Sequence, residues 1–107
     1  MSSSVIELIM AVQEVHRAGY LHNDIHPSNL LVHRHKSNGT LTVKLGGFSQ
    51  ACAKSDGETP SFVLKPTDPL FQAPEVLAGG PLSEASDVWS LGVTLYTLAC
   101  ARLPFTS

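Results

Sequence analysis

Residues 83–101 set the tightest limit on what this chain can fold into. Val88, Trp89, Leu91, Val93, Leu95, Tyr96 and Leu98 fall on nearly every side of a helical wheel. A helix that is apolar all round belongs in the middle of a domain, with neighbours on each flank. Ser83 is placed to cap its N-terminus, and Glu84 favours the first turn. The chain has 107 residues and stops soon after this helix, so the expectation is a truncated domain whose covering layers are missing. A chain of this size buries only about two-thirds of its unfolded surface. A sticky or partly unfolded product is therefore expected when it is expressed alone.

The opening segment is patterned differently. Apolar residues at 5, 6, 8, 9, 12 and 15 make one stripe, with Glu7, Gln13, Glu14 and Arg17 elsewhere on the wheel. That spacing predicts an amphipathic helix over about residues 5–18. Ser4 with Glu7 reads as a capping box and Gly19 as the C-terminal stop. Further on, Pro27 forbids helix and drives His26 towards extended backbone. Leu30-Leu31-Val32-His33 and Thr40-Leu41-Thr42-Val43-Lys44-Leu45 predict a β-hairpin, with Asn38-Gly39 supplying positive φ angles at its tip. Residues 46–70 lose all period and are rich in Gly, Ser, Thr, Pro and Lys, which predicts one long surface loop. A short helical turn is expected at 74–77, ended by Gly79-Gly80-Pro81. The expected fold is mainly α with a small β-hairpin.

Composition removes several functions. Seven Lys and Arg against nine Asp and Glu leave a net charge of −2, which provides no polybasic face for nucleic acid or anionic lipid. The apolar runs are too broken for membrane insertion, and Met1-Ser2-Ser3-Ser4 lacks the basic start of a secretory signal. Cys52 and Cys100 are too few for a disulfide framework and lack zinc spacing, so a reducing, cytoplasmic setting is expected. The five histidines all lie between positions 16 and 35. His22 and His26 fall in a loop and no Cys or carboxylate completes a ligand set, so packed or solvated histidines are a simpler reading than a metal site. Ser55, Thr59, Ser61 and Thr67 are candidate phosphosites, although Ser/Thr-rich loops are usually only loops.

One constellation is far more specific. His22-Asn23-Asp24-Ile25-His26-Pro27-Ser28-Asn29 lies between the predicted helix and the hairpin. Gly46-Gly47-Phe48-Ser49 leaves the hairpin, Ala73-Pro74-Glu75 follows, and Asp87-Val88-Trp89-Ser90-Leu91-Gly92 opens the apolar helix. In order, spacing and context these resemble the C-terminal lobe of a eukaryotic protein kinase, from the helix before the catalytic loop to the central helix after the activation segment. The resemblance makes residues 1–107 a fragment of a protein kinase domain, a partial kinase-like α+β C-lobe without the N-lobe and the last helices. Val43-Lys44-Leu45-Gly46-Gly47-Phe48, Pro69-Leu70-Phe71-Gln72-Ala73-Pro74-Glu75 and Leu103-Pro104-Phe105 are similar to calmodulin-dependent-kinase-like domains. Among these the likeness is nearest to the kinase-like domain of calcium/calmodulin-dependent serine protein kinase, a membrane-associated guanylate kinase scaffold. That family also has Gly-Phe where most kinases have Asp-Phe.

The resemblance implies roles residue by residue. Asp24 matches the catalytic Asp that accepts or orients the substrate hydroxyl proton, and Asn29 matches the magnesium-binding Asn that follows it. An isolated Asp here would read as a turn former; the surrounding motif reverses that. Leu31 would lie under the adenine of ATP. Asp87 would accept hydrogen bonds from the backbone at His22 and Asn23, while His22 and Phe48 would pack in the hydrophobic column between lobes. Trp89 would anchor the buried helix. Glu75 would lack its usual buried Arg.

Several parts depart from the family pattern. Gly47 stands where the metal-chelating Asp is expected, and Ser49 where its Gly is expected. Metal stabilisation in phosphoryl transfer is worth several kcal/mol and each ~1.4 kcal/mol is tenfold in rate, so a fall of at least about two orders of magnitude follows. His26 replaces the usual Lys, Asn23 the usual Arg, and Asp68 the usual Thr, which would bring a carboxylate near Asp24. No Gly-rich phosphate loop and no lysine precede Lys36. ATP binding is therefore expected to be weak or absent, and magnesium is not expected to bind in the usual way.

The function expected is that of a serine/threonine-type kinase-like fragment, catalytically impaired and inactive alone, acting by binding or scaffolding through a protein partner or substrate. The alternative is an incomplete stretch of an active, weakly metal-dependent serine/threonine kinase.

Overall fold

The structure, a computed structural model, describes residues 3–57 and 68–101. The amphipathic stripe forms α1 (Ser3–Arg17), which buries Leu8 and Val12 and packs Ile9 beside them. The helix begins before Ser4, so Ser4 lies buried inside the first turn and is not the cap. Gly19 ends α1, its amide donating to the His16 carbonyl at 3.0 Å.

Of the three strands that come next, one escaped the sequence pattern. β1 (Tyr20–Leu21) was not foreseen; the hairpin was, as β2 (Leu30–Arg34) and β3 (Leu41–Leu45). These two pair antiparallel, with Leu30 opposite Leu45 and Arg34 opposite Leu41. Their inward face follows the period of two: Val43 is buried, with Leu41 and Leu45 packed against the same core. At the tip only Gly39 takes a positive φ, +70°. Asn38 contributes through its side chain instead, Oδ1 accepting from the Thr40 amide at 3.0 Å and the Thr40 hydroxyl at 2.7 Å. The loop spans residues 36–39 and is closed by bonds from Gly39 to His35 and from His35 to Thr40, so one left-handed residue suffices.

The stretch expected to be one long loop contains more structure than that. A 3₁₀ turn at Phe48–Gln50 leads into β4 (Cys52–Ala53), which pairs antiparallel with β1, Leu21 opposite Cys52. A second 3₁₀ turn, Lys54–Asp56, follows. Strands of two residues have no period to detect, which is why the pattern missed them. Asp68 is exposed and uses its carboxylate locally. It caps a further 3₁₀ turn, Pro69–Phe71, by accepting from the Leu70 amide at 3.0 Å. α2 (Pro74–Leu77) then forms as expected. Thr59, Ser61, Thr67 and Leu103-Pro104-Phe105 lie outside the described residues.

α3 (Glu84–Ala101) is capped by Ser83 in a reciprocal pair. The Ser86 amide donates to Ser83 Oγ at 3.2 Å, and the Ser83 amide to Ser86 Oγ at 2.9 Å. Burial, however, is confined to one face: Ser86, Asp87, Leu91, Thr94 and Leu98. Trp89 is 47% exposed, Val88 56% and Tyr96 72%, which corrects the expectation of burial on all sides. Among the described residues α1 and the Pro69–Phe71 turn make the main contacts with α3, and Val88, Trp89 and Tyr96 stay about half exposed or more.

The main core joins α1, β3 and α3 to the 22–29 loop through Leu8, Val12, Ile25, Val43, Leu91 and Leu98. Leu21, Cys52 and Leu82 form a smaller cluster under the second sheet. Three α-helices and two two-stranded antiparallel sheets make this α+β, with helix prevailing by length. No helix of the described residues is long and apolar enough to cross a membrane.

Candidate functional site

Residues 22–29 run between the two cores, and their backbone is held from α3. Asp87, 1% exposed, accepts from the His22 amide at 2.8 Å and the Asn23 amide at 2.9 Å. A buried carboxylate needs such donors, and charge-assisted bonds of this kind are the strong ones. A third partner was not foreseen: His16 Nε2 of α1 lies 2.8 Å from Asp87 Oδ2. His16 Nδ1 is 3.3 Å from Glu84 Oε1, and Lys54 Nζ is 3.0 Å from Glu84 Oε2. The hydrogen bond and charge of Lys54 hold the Glu84 carboxyl below its ordinary range. Polar residues at 16, 54, 84 and 87 thus form one chain across three elements, a pattern that no local spacing in the sequence announces.

His22 is fully buried. Its Nε2 bonds the Gly46 carbonyl at 2.7 Å and its Nδ1 accepts from the Asp24 amide at 3.1 Å, which fixes the ring proton on Nε2. Its ring meets Phe48 edge-on, with centroids 4.8 Å apart. The expected His22–Phe48 contact is present, although Phe48 is also half exposed. Asn23 has φ +69°, the one positive value outside glycine among the described residues, a conformation that Asn tolerates better than most. Its Nδ2 donates to the Gln50 carbonyl at 2.9 Å and lies 3.3 Å from Cys52 Sγ, tying the loop to β4. Its Oδ1 is buried without a hydrogen bond.

The 3₁₀ turn Pro27–Asn29 folds Asn29 back onto Asp24. Asn29 Nδ2 donates to the Asp24 carbonyl at 2.7 Å and to Asp24 Oδ2 at 3.1 Å, and lies 3.2 Å from His26 Nε2. Turned over, the amide would aim its oxygen at two oxygens, so its partners fix the orientation. Asp24 Oδ1 is buried; His26 Nε2 is 3.2 Å away but is not aligned to bond it. The structure therefore brings Asp24, His26 and Asn29 together.

Gly47 sits directly beyond this cluster with φ +69°. A Cβ built there would be 2.5 Å from Asn29 Nδ2 and nearer still to Cγ and Oδ1. The amide of Asn29 thus occupies the volume into which a side chain at position 47 would grow. Magnesium demands near-octahedral oxygen ligands. Here position 47 offers none, and the Asn29 amide head stands in the space beside it. No three His, Cys, Asp or Glu among the described residues cluster as a metal site would require.

The remaining expected residues lie apart from this cluster. Leu31 is 62% exposed, with its Cδ1 3.6 Å from where a Cβ of Gly46 would be. Glu75 is exposed and forms no ion pair among the described residues. Trp89 lies on the open flank of α3, on the far side from Asp87. An open apolar hollow of about 370 Å³ beside Phe48 is lined by Val15, Ala18, Tyr20 and Ala51.

Known proteins share this pattern. Residues 1–107 match the family described as protein kinase domain. The chain is 38% identical over 101 residues to the hormonally up-regulated neu tumor-associated kinase homolog of Xenopus tropicalis, covering 94% of this chain and 14% of the relative. It is 39% identical over 105 residues to the carbon catabolite-derepressing protein kinase of Saccharomyces cerevisiae, covering 92% of this chain and 15% of that protein. The human hormonally up-regulated neu tumor-associated kinase is 37% identical over 101 residues, which is 13% of its length. The chain thus spans about one-seventh of these relatives. On the match along its whole length, and with a buried Asp holding the 22–29 loop as described, this chain belongs to the protein kinase domain family.

Proposed function

We propose that this chain is a serine/threonine-type kinase-like unit impaired in phosphotransfer, a pseudokinase, and that it acts by binding or scaffolding a protein partner. One observation carries this: glycine at position 47, with the Asn29 amide filling the adjoining space and bonded to Asp24. Without that carboxylate, ATP is held weakly or not at all, and magnesium does not take its usual place. Asp24 remains the catalytic position in this reading, Asn29 the former metal and nucleotide ligand, and Leu31 the surface under the adenine. The likeness to calmodulin-dependent-kinase-like domains belongs to the same proposal and rests on the Gly47-Phe48 pair and its flanking residues; the relatives above carry other kinase names. A cytoplasmic setting and a domain completed by parts outside residues 1–107 complete it.

The test is incubation with labelled ATP and a generic protein substrate, with and without Mg²⁺. No transfer is expected from the chain alone. Turnover abolished by Asp24→Ala would overturn the proposal and favour an active, weakly metal-dependent serine/threonine kinase. That second reading has one observation behind it, a retained Asp24 whose Oδ1 makes no hydrogen bond. For the binding role, capture of a partner should survive Asp24→Ala and fail when the Trp89 face of α3 is made polar.

A further inference from the structure

We propose that Asn29 and Gly47 form a steric lock which closes the divalent-ion position of the family and holds the Asp24 loop by hydrogen bonds in place of a cation. The inference rests on the impaired-kinase reading and sharpens it: the position is not merely short of one ligand, it is filled.

Three features carry the lock. The first is volume. At Gly47 a Cβ would overlap the whole amide head of Asn29, its Cγ, Oδ1 and Nδ2. Only glycine lets Asn29 lie where it does, and the φ of +69° at Gly47 adds a second reason for glycine. The second is anchorage. Asn29 donates its NH₂ group to the Asp24 carbonyl and carboxylate, and these bonds keep the amide head in the space beside Gly47. The third is closure of the loop upon itself: the bond to the Asp24 carbonyl spans residues 24–29, and the Gly46 amide donates to the Asn29 carbonyl at 2.8 Å. Asn29 is thereby pinned at both its backbone and its side chain. Restoring aspartate at position 47 alone does not restore ion binding, because Asn29 stands in its way.

The experiment uses the full chain, labelled with ¹⁵N. Thermal melts are taken for the native chain, Gly47→Ala, Asn29→Ala and the double variant. Each single substitution is expected to lower the midpoint by about 5 °C or more. The double variant should lose clearly less than the sum, since removing the Asn29 amide makes room for the new Cβ. Additive losses would overturn the lock. If Gly47→Ala fails to fold, recovery of folding in the double variant supports the lock and continued failure counts against it. A second measurement needs no variant: Mn²⁺ at millimolar concentration should leave the Asn29 side-chain amide signals sharp. Their selective broadening would overturn the lock, as would Mn²⁺ binding gained by Gly47→Asp alone. These outcomes are separate from phosphotransfer. Asp24-dependent turnover that ignores divalent ions would end the impaired-kinase reading and leave the lock standing.

Discussion

Removing the Asp87 carboxylate tests the central claim about how the 22–29 loop is held. In Asp87→Ala the His22 and Asn23 amides lose their acceptor, and His16 Nε2 loses its partner at 2.8 Å. All three contacts sit around a side chain that is 1% exposed, where water does not easily substitute. A hydrogen bond to a charged group is worth about 1.5–3 kcal/mol, and bonds that share one acceptor do not add fully. Loss of one partner of a buried charged cluster costs about 3–5 kcal/mol, and that is the expected destabilisation. Asp87→Asn is gentler. With its oxygen kept at the Oδ2 position it still serves His22 and His16, and only the Asn23 amide faces an NH₂ group, for a loss of about 2 kcal/mol. Urea unfolding followed by circular dichroism measures both, against a total that for domains of this kind is about 5–15 kcal/mol. Amide exchange at His22 and Asn23 should accelerate in the Ala variant more than at positions along α1. An Ala variant within about 1 kcal/mol of the native chain, the size of one ordinary hydrogen bond, would refute the reasoning.

Other outcomes follow from the same geometry. Asn23→Ala forfeits the bonds to Gln50 and Cys52 and forces φ +69° on a Cβ residue, a loss of about 2–3 kcal/mol, whereas Asn23→Gly keeps the backbone at ease and loses about 1 kcal/mol. Chemical denaturation ranks them, and the reverse order would contradict the role given to Asn23. Lys54→Met removes the partner that depresses the Glu84 carboxyl. Because the folded value lies below the ordinary 4.5, the stabilisation is present above that pH and is lost as pH falls through the folded value. Melts of the native chain and the Lys54→Met variant should therefore differ slightly at about pH 6 and converge towards about pH 3, with the difference also shrinking in high salt. Replacing Trp89 and Tyr96 together by Ser should reduce self-association and dye binding while leaving the midpoint nearly unchanged, since both face away from the core. A large fall in midpoint, read by calorimetry, would show that flank to be buried.

How legible each part was depends on how local its cause is. α1, the hairpin and the Ser83 cap arise from spacings within a few residues, and the sequence pattern carries them. β1 and β4 arise from pairing between residues 20–21 and 52–53, and two residues hold no pattern. The all-round apolar helix was legible as a composition but not as an environment. Val88, Trp89 and Tyr96 are suited to burial, yet the described chain covers only the Asp87–Leu91–Leu98 side. In the site, Asp24, Asn29, His22, Phe48 and Asp87 could be named from motif order. The direction in which Asn29 points could not, because it follows from a rotamer that only the glycine at 47 permits. His16 was hidden for a similar reason: its partners Glu84 and Asp87 are set by how α1 crosses α3.

Of the residues that keep the family pattern, Asp87 and His22 satisfy buried backbone, whereas Gly47 departs from it and offers no side chain. Asp87 and His22 answer the amides of residues 22–24, and neither contact involves Asp24's carboxylate. Asn29 reaches Asp24 chiefly through the backbone carbonyl, at 2.7 Å against 3.1 Å for the carboxylate oxygen. Asp24 Oδ1 meanwhile is buried with no hydrogen bond, an arrangement that costs stability. The carboxylate therefore contributes little to holding the loop. Asp24→Ala should fold as the native chain does, within about 1 kcal/mol and with a gain as acceptable as a loss. Urea melts of the two chains decide it. A loss above about 3 kcal/mol, the mark of a broken buried pair, would mean that the Asp24 carboxylate is part of the frame that holds the loop.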